Sequence, residues 1–140
     1  MKIVLMLERL YRITEKDELG THVNEIKNPH LRNAVIYIES HYSDNILLDN
    51  ISQAASLNHS TLTKLFKEEL NVTPVEYLWR YRTTVAKKQL AFTNLPIKDI
   101  SERCGYKTLA HFSRKFENYT GITPTDYRKK RFSEQKSMFG

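Results

Sequence analysis

The sequence predicts an all-α protein of about seven helices, arranged as two similar lobes joined by a long linking helix. Three observations predict it. Four Gly and four Pro in 140 residues, with no alternating Val/Thr/Tyr stretch and no Asn-Gly hairpin signal, argue against sheet. Apolar residues recur at helical spacing through most of the chain. Finally, Phe66-Lys67-Glu68-Glu69-Leu70-Asn71-Val72-Thr73-Pro74-Val75-Glu76-Tyr77 aligns with Phe116-Glu117-Asn118-Tyr119-Thr120-Gly121-Ile122-Thr123-Pro124-Thr125-Asp126-Tyr127, keeping Phe, Thr-Pro, an acid and Tyr in step. A unit used twice suggests one job done at two places.

The elements follow in order. Ile3, Leu7, Leu10 and Tyr11 suit a short amphipathic helix over 2–12, and the polar, aperiodic stretch from Thr14 to Lys27 reads as a linker. Asn28-Pro29 offers a cap and a proline at the first helical position, with Leu31, Val35, Ile38 and Tyr42 on one face behind them. After Ser43-Asp44-Asn45, a helix of about two turns uses Leu48, Ile51, Ala54 and Ala55 and stops near Ser56. Asn58 caps the next helix, whose apolar stripe is Leu62, Leu65 and Phe66.

Asn71, and Gly121 in the second copy, stand where a chain reversal wants a left-handed residue. Thr73-Pro74 and Thr123-Pro124 each read as a cap followed by a helix start. The helix launched at Pro74 is the longest, roughly 19 residues or about 28 Å. Asn94-Leu95-Pro96 ends it, Ile97 and Ile100 open another short helix, Gly105-Tyr106 closes that one, and Thr108 caps a helix built on Phe112 and Phe116. Ile100-Ser101 matches Ile51-Ser52 at an offset of 49, and Phe112 matches Leu62 at 50, so the second turn is one residue longer.

Lys and Arg outnumber Asp and Glu by 22 to 16, a net charge of +6. Residues 1–30 carry five of each sign, so the excess lies wholly in 31–140 and points to an anionic partner there. The lone Cys104 forms no internal disulfide, and no Cys/His spacing suits a metal, so neither a metal nor another cofactor is expected. The apolar run Ile3 to Leu7 is broken by Glu8 and Arg9, too early for a leader or a membrane span, which places the chain in the cytoplasm. No nucleophile, acid/base pair or metal cluster can be assembled, so enzymatic activity is not expected.

Two short helices on a tight turn, the second with a polar, basic face, form a helix-turn-helix. Such a helix fits the major groove, where short side chains permit close approach and Lys or Arg reach guanine edges or phosphates. The groove-facing set is His59, Ser60, Thr63, Lys64 and Lys67 in the first lobe, and Leu109, Ala110, His111, Ser113, Arg114 and Lys115 in the second. Arg114 is the best candidate for a bidentate base contact, with Lys64 its equivalent. Phosphate contacts are expected from the helix starts at Asn58 and Thr108, and from Lys87, Lys88, Arg128 and Lys129. The length of the linking helix approaches the rise of one duplex turn, about 34 Å, so that one chain could fill two successive major grooves of double-stranded DNA. Arg82 reads as a structural donor rather than a base reader.

These residues resemble a known family. Tyr37-Ile38-Glu39, Tyr42, Ile51, Leu62-Thr63-Lys64-Leu65-Phe66-Lys67, Arg82, Ala86, Leu90, Ile100, Gly105-Tyr106, Phe112-Ser113-Arg114-Lys115-Phe116 and Gly121-Ile122-Thr123-Pro124 through Tyr127-Arg128 make 31–132 similar to the DNA-binding domain of AraC-type transcription regulators. The resemblance implies base contacts near Ser60, Thr63, Lys64, Leu109, Ala110, Ser113 and Arg114. It departs from the family at Leu47, often a Ser cap, at Asn71, commonly Gly, and at Ser101, commonly Ala, which needs a hydrogen bond if buried.

The expected organisation is an N-terminal helix and linker over 1–30, a remnant of an interdomain connection; lobes over about 31–73 and 94–132 joined by a helix over 74–93; and a C-terminal tail over 133–140. The resemblance implies that a sensor or dimerisation domain is missing here, so that the chain is a C-terminal fragment or an unusually short member. RNA polymerase is a further expected partner, and the nucleoid the expected location. An alternative function stays open: a helix-turn-helix interaction module docking on RNA polymerase or another regulator.

Overall fold

A computed structural model describes residues 23–139, with side chains through Ser137. The expected helix over 2–12 lies outside the described residues. Seven α-helices follow a short 3-10 turn at Val23–Glu25: α1 Pro29–His41, α2 Leu48–Ala55, α3 His59–Leu70, α4 Pro74–Phe92, α5 Ile97–Arg103, α6 Leu109–Thr120 and α7 Pro124–Phe139. No strand occurs among the described residues. The chain divides into two compact units between Tyr81 and Arg82, so each half of α4 belongs to a lobe.

In the first lobe, the side chain of Asn28 accepts from the amides of His30 and Leu31 at 2.9 and 3.2 Å, starting α1 beside Pro29 as capping chemistry predicts. The end of the expected linker is anchored: Ile26 is buried, and its carbonyl accepts from Arg32 Nε at 3.0 Å. Leu31, Val35 and Ile38 of α1 join Ile51, Ala55, Leu62, Phe66 and Tyr77 in the lobe's core. Burying a side chain the size of Phe66 contributes roughly 1.5–3 kcal/mol.

The helix stops fall where expected, and both residues are left-handed. Ser56 ends α2 at φ 55, and Asn71 ends α3 at φ 60. Leu57 N–H reaches back to Ser52 O at 3.1 Å and Ser56 N–H to Gln53 O at 3.2 Å, the paired bonds of a Schellman stop. Leu47 has no oxygen to cap with, so α2 keeps half of a capping box: its backbone N–H donates to Asn50 Oδ1 at 2.8 Å.

The second lobe repeats this construction. Gly105 takes φ 90 after α5, and Tyr106 N–H returns to Ser101 O at 3.0 Å, matching Ser56 and Leu57 at an offset of 49. Thr108 then caps α6 at an offset of 50 from Asn58, which makes Lys107 the extra turn residue. Buried Ser101 donates to Lys98 O at 2.9 Å, so its departure from the family pattern carries no desolvation cost. Ile100, Phe112, Phe116 and Leu90 fill the core.

The last helix differs from expectation. α7 continues through Phe139, so the residues expected as a C-terminal tail are helical, and Gln135 Nε2 donates to Ala91 O at 3.1 Å. A polar helix end is held here by tertiary hydrogen bonding that local composition does not reveal.

Candidate nucleic-acid interface

The sites grow out of the core stripes. With Leu62 and Phe66 buried on one side of α3, the 3.6-residue period turns the intervening positions outward. His59, Ser60, Lys64 and Lys67 are exposed and Thr63 is half-buried, so all five expected residues share the face away from the core. Asn58 accepts from Thr61 N–H at 2.8 Å, which leaves the first-turn amides of His59 and Ser60 outside the helical ladder. They give the start of α3 a partial positive charge suited to an anion. Exposed Thr61 adds a hydroxyl that sequence reasoning did not select.

Charge on this face is tempered from within. Lys64 Nζ lies 3.9 Å from Glu68 Oε1, both well exposed, a pair worth only about 0.3–0.5 kcal/mol yet enough to share the ammonium. His59 Nε2 is in hydrogen-bond contact with Asp49 Oδ1 of α2. Sequence reasoning missed Asp49, because only the tight turn between α2 and α3 brings residues ten positions apart together.

In α6, Phe112 and Phe116 are buried while Leu109, Ala110 and Arg114 are exposed and Ser113 and Lys115 are half-buried. Thr108 Oγ1 accepts from His111 N–H at 3.0 Å. Asn118 stands where α3 has Glu68, so α6 carries no acid four positions beyond Arg114. His111 packs edge-on to Tyr106, ring centroids 5.7 Å apart. Burial first, then Lys115, Arg114 and Arg82, lower its pKa, so its ring sheds its proton more readily than an ordinary histidine. Arg82 itself is 4% exposed, and burial lowers its pKa too, which makes it a core residue of the lobe.

The expected phosphate contacts divide. Lys129 is exposed on α7, and Asn58 and Thr108 stand at the two helix starts. Lys87 and Lys88, expected to attract phosphate, are instead 8% and 6% exposed, because both fall within the buried stretch of α4. Arg128 is likewise a correction. Its Nε, Nη1 and Nη2 donate to the carbonyls of Leu90, Leu95 and Thr93 at 3.1, 2.7 and 3.2 Å. Those carbonyls lie at and beyond the C-terminus of α4, where oxygens lack intrahelical partners and a cation is favoured. The guanidinium is a helix-end clamp, and burial pushes its pKa down.

Comparison with known proteins accords with this geometry. Residues 51–130 match the family model of a helix-turn-helix domain. The chain is 34% identical over 104 residues to the lactose operon transcription activator of Staphylococcus xylosus, covering 74% of this chain and 37% of that protein. Among solved structures it is similar to the C-terminal domain of AraT, a response regulator from Geobacillus stearothermophilus, at TM-score 0.70 and 33% identity, covering 74% of this chain and 86% of that one. A transcriptional regulator from Chromobacterium violaceum, described among AraC-type DNA-binding domain-containing proteins, matches at TM-score 0.70 and 30% identity over 74% of this chain and 92% of that one. The chain spans between 13% and 37% of the length of the first curated relatives it matches. With two capped helix-turn-helix units in one chain and these matches across most of its length, the chain belongs to the AraC-type helix-turn-helix family of transcription regulators.

Proposed function

We propose that this chain is the sequence-specific double-stranded DNA-binding part of a transcription regulator, with α3 and α6 each reading a major-groove half-site, the two about one duplex turn apart. One observation carries the reading: two capped helices, each buried by an apolar stripe, carry polar and basic residues outward at corresponding positions. Phosphate attraction comes from the helix starts and from Lys67, Lys115 and Lys129, and base recognition from Ser60, Thr63, Lys64, Ser113 and Arg114. The same reading has the domain act on nucleoid DNA in the cytoplasm, without cofactor, metal or catalysis. It works beside a sensor or dimerisation domain and RNA polymerase in the whole regulator. The greater length of the curated relatives supports the former.

Binding to random duplex at several salt concentrations, followed by selection from a random pool, tests it. The reading expects a steep negative log-log salt slope and a bipartite selected site bound at least about a thousandfold more tightly than random DNA. A flat slope with no selectable site supports the interaction-module alternative instead.

A further inference from the structure

The two lobes differ where the start of the first helix of each helix-turn-helix faces the start of the second. In the first lobe, His59 opens α3 and its Nε2 meets Asp49 Oδ1 from the first turn of α2. Both side chains are well exposed, 51% and 70%. At the offsets that relate the repeats, Asp49 corresponds to Lys98 and His59 to Leu109, so the second lobe has no such pair. The side-chain caps at Asn58 and Thr108 and the left-handed stops repeat around it, so the pair is a difference in side-chain chemistry on a shared frame.

We propose that Asp49 is a positioning residue for His59, and that the pair makes the leading edge of the first half-site a hydrogen-bond acceptor that selects a base with an exocyclic amine. A carboxylate can only accept, so the imidazole donates through Nε2–H. Either protonation state of the ring can make this contact, but only the neutral ring leaves the other nitrogen, Nδ1, an acceptor, so the selectivity proposed is that of the neutral imidazole and is read in mildly alkaline solution. In the major groove only adenine N6 and cytosine N4 offer donors, whereas guanine N7 and O6 and thymine O4 are acceptors that would face the Nδ1 lone pair. Leu109 at the same place in the second lobe has no polar atom, and its 45% exposed side chain suits a thymine methyl. The two half-sites therefore differ in chemical kind at this position.

This inference rests on the DNA-reading function above, and the test separates the two. The full chain and its D49A, D49N and H59A variants are put through selection at about pH 8.5, above the ordinary histidine range, and then titrated at that pH against duplexes carrying each of the four bases at the outer position of the first half-site. The wild type prefers adenine or cytosine there by about ten-fold. H59A and D49A flatten that preference to about two-fold or less, while D49N, which keeps an acceptor oxygen without the charge, retains most of it. The preferences of the second half-site are unchanged in all three, which also reports an intact fold. The proposal is overturned if D49A keeps the wild-type preference, if D49N behaves as D49A, which would make the effect one of charge alone, or if the wild type is indifferent at that position. Failure to select any bipartite site would instead overturn the DNA-reading function itself.

Discussion

Phe66 meets Tyr77 edge-on, ring centroids 5.9 Å apart and planes at 71°, and fifty positions later Phe116 meets Tyr127 in the same way at 5.4 Å and 74°. This arrangement suits the quadrupoles of both rings and adds about 0.5–1.5 kcal/mol beyond area burial. All four rings are 8% exposed or less, so they are packing residues and not stacking platforms for bases. Each pair ties a recognition helix to the helix that follows it, which holds the polar face of the recognition helix outward. Phe116→Ala is expected to cost about 3–5 kcal/mol in denaturant unfolding, and a loss below about 1 kcal/mol would show that the pair does not organise its lobe.

Arg128→Ala should destabilise the second lobe by about 2–3 kcal/mol, because three carbonyls lose a charge-assisted donor. Arg128→Lys should recover little, since an ammonium cannot reach the carbonyls of Leu90, Thr93 and Leu95 in the same fork. Urea unfolding measures both. A phosphate contact would instead lower the salt slope of DNA binding by about one and leave stability alone.

Arg114→Ala should relax base preference at one position of one half-site and cost about 1–3 kcal/mol. Lys64→Ala should cost less, because Lys64 already shares its charge with Glu68 3.9 Å away. Competition titrations against single-base variants of the selected site decide this. Uniform weakening across all sequences would make Arg114 a phosphate contact.

Gly121 holds φ 82 with nothing within 4 Å of an added Cβ, so Gly121→Ala should cost about 1 kcal/mol, through backbone conformation alone. Asn71 holds φ 60 at the equivalent stop, and Asn71→Gly should change stability by less than about 0.5 kcal/mol, since Asn already tolerates that conformation. Thermal or urea unfolding of the two variants makes each repeat the control for the other.

Burial raises the pKa of Cys104 from 9.0 to about 12 and that of Tyr106 from 10.0 to about 12. Both groups release protons more readily when unfolded, so the stability they contribute is fully present below about pH 9 and is lost as pH rises toward 12. Urea midpoints measured from pH 8 to 11 should fall, and fall less in Cys104→Ala after correction for its lower baseline. A soluble alkylating reagent should leave Cys104 unmodified at pH 7.5 until denaturant is added.

By itself the sequence determined the elements and the repeat. Asn28-Pro29, Asn58, Thr73-Pro74, Thr108 and Thr123-Pro124 begin helices, and Ser56, Asn71, Gly105 and Gly121 end them, because caps and left-handed stops depend on a few adjacent residues. The outward faces of α3 and α6 were legible for the same reason, since helical period converts a core stripe directly into an opposite surface. Only the tertiary structure decided which cations are free to act. Lys87, Lys88 and Arg128 look like surface charge in sequence, yet two are buried along α4 and the third clamps carbonyls up to 38 positions away. It also decided that Asp49 would meet His59. A long cationic or acidic side chain is committed by whichever backbone or partner the fold brings within hydrogen-bond reach, and that proximity is a property of packing across the chain, which no local pattern encodes.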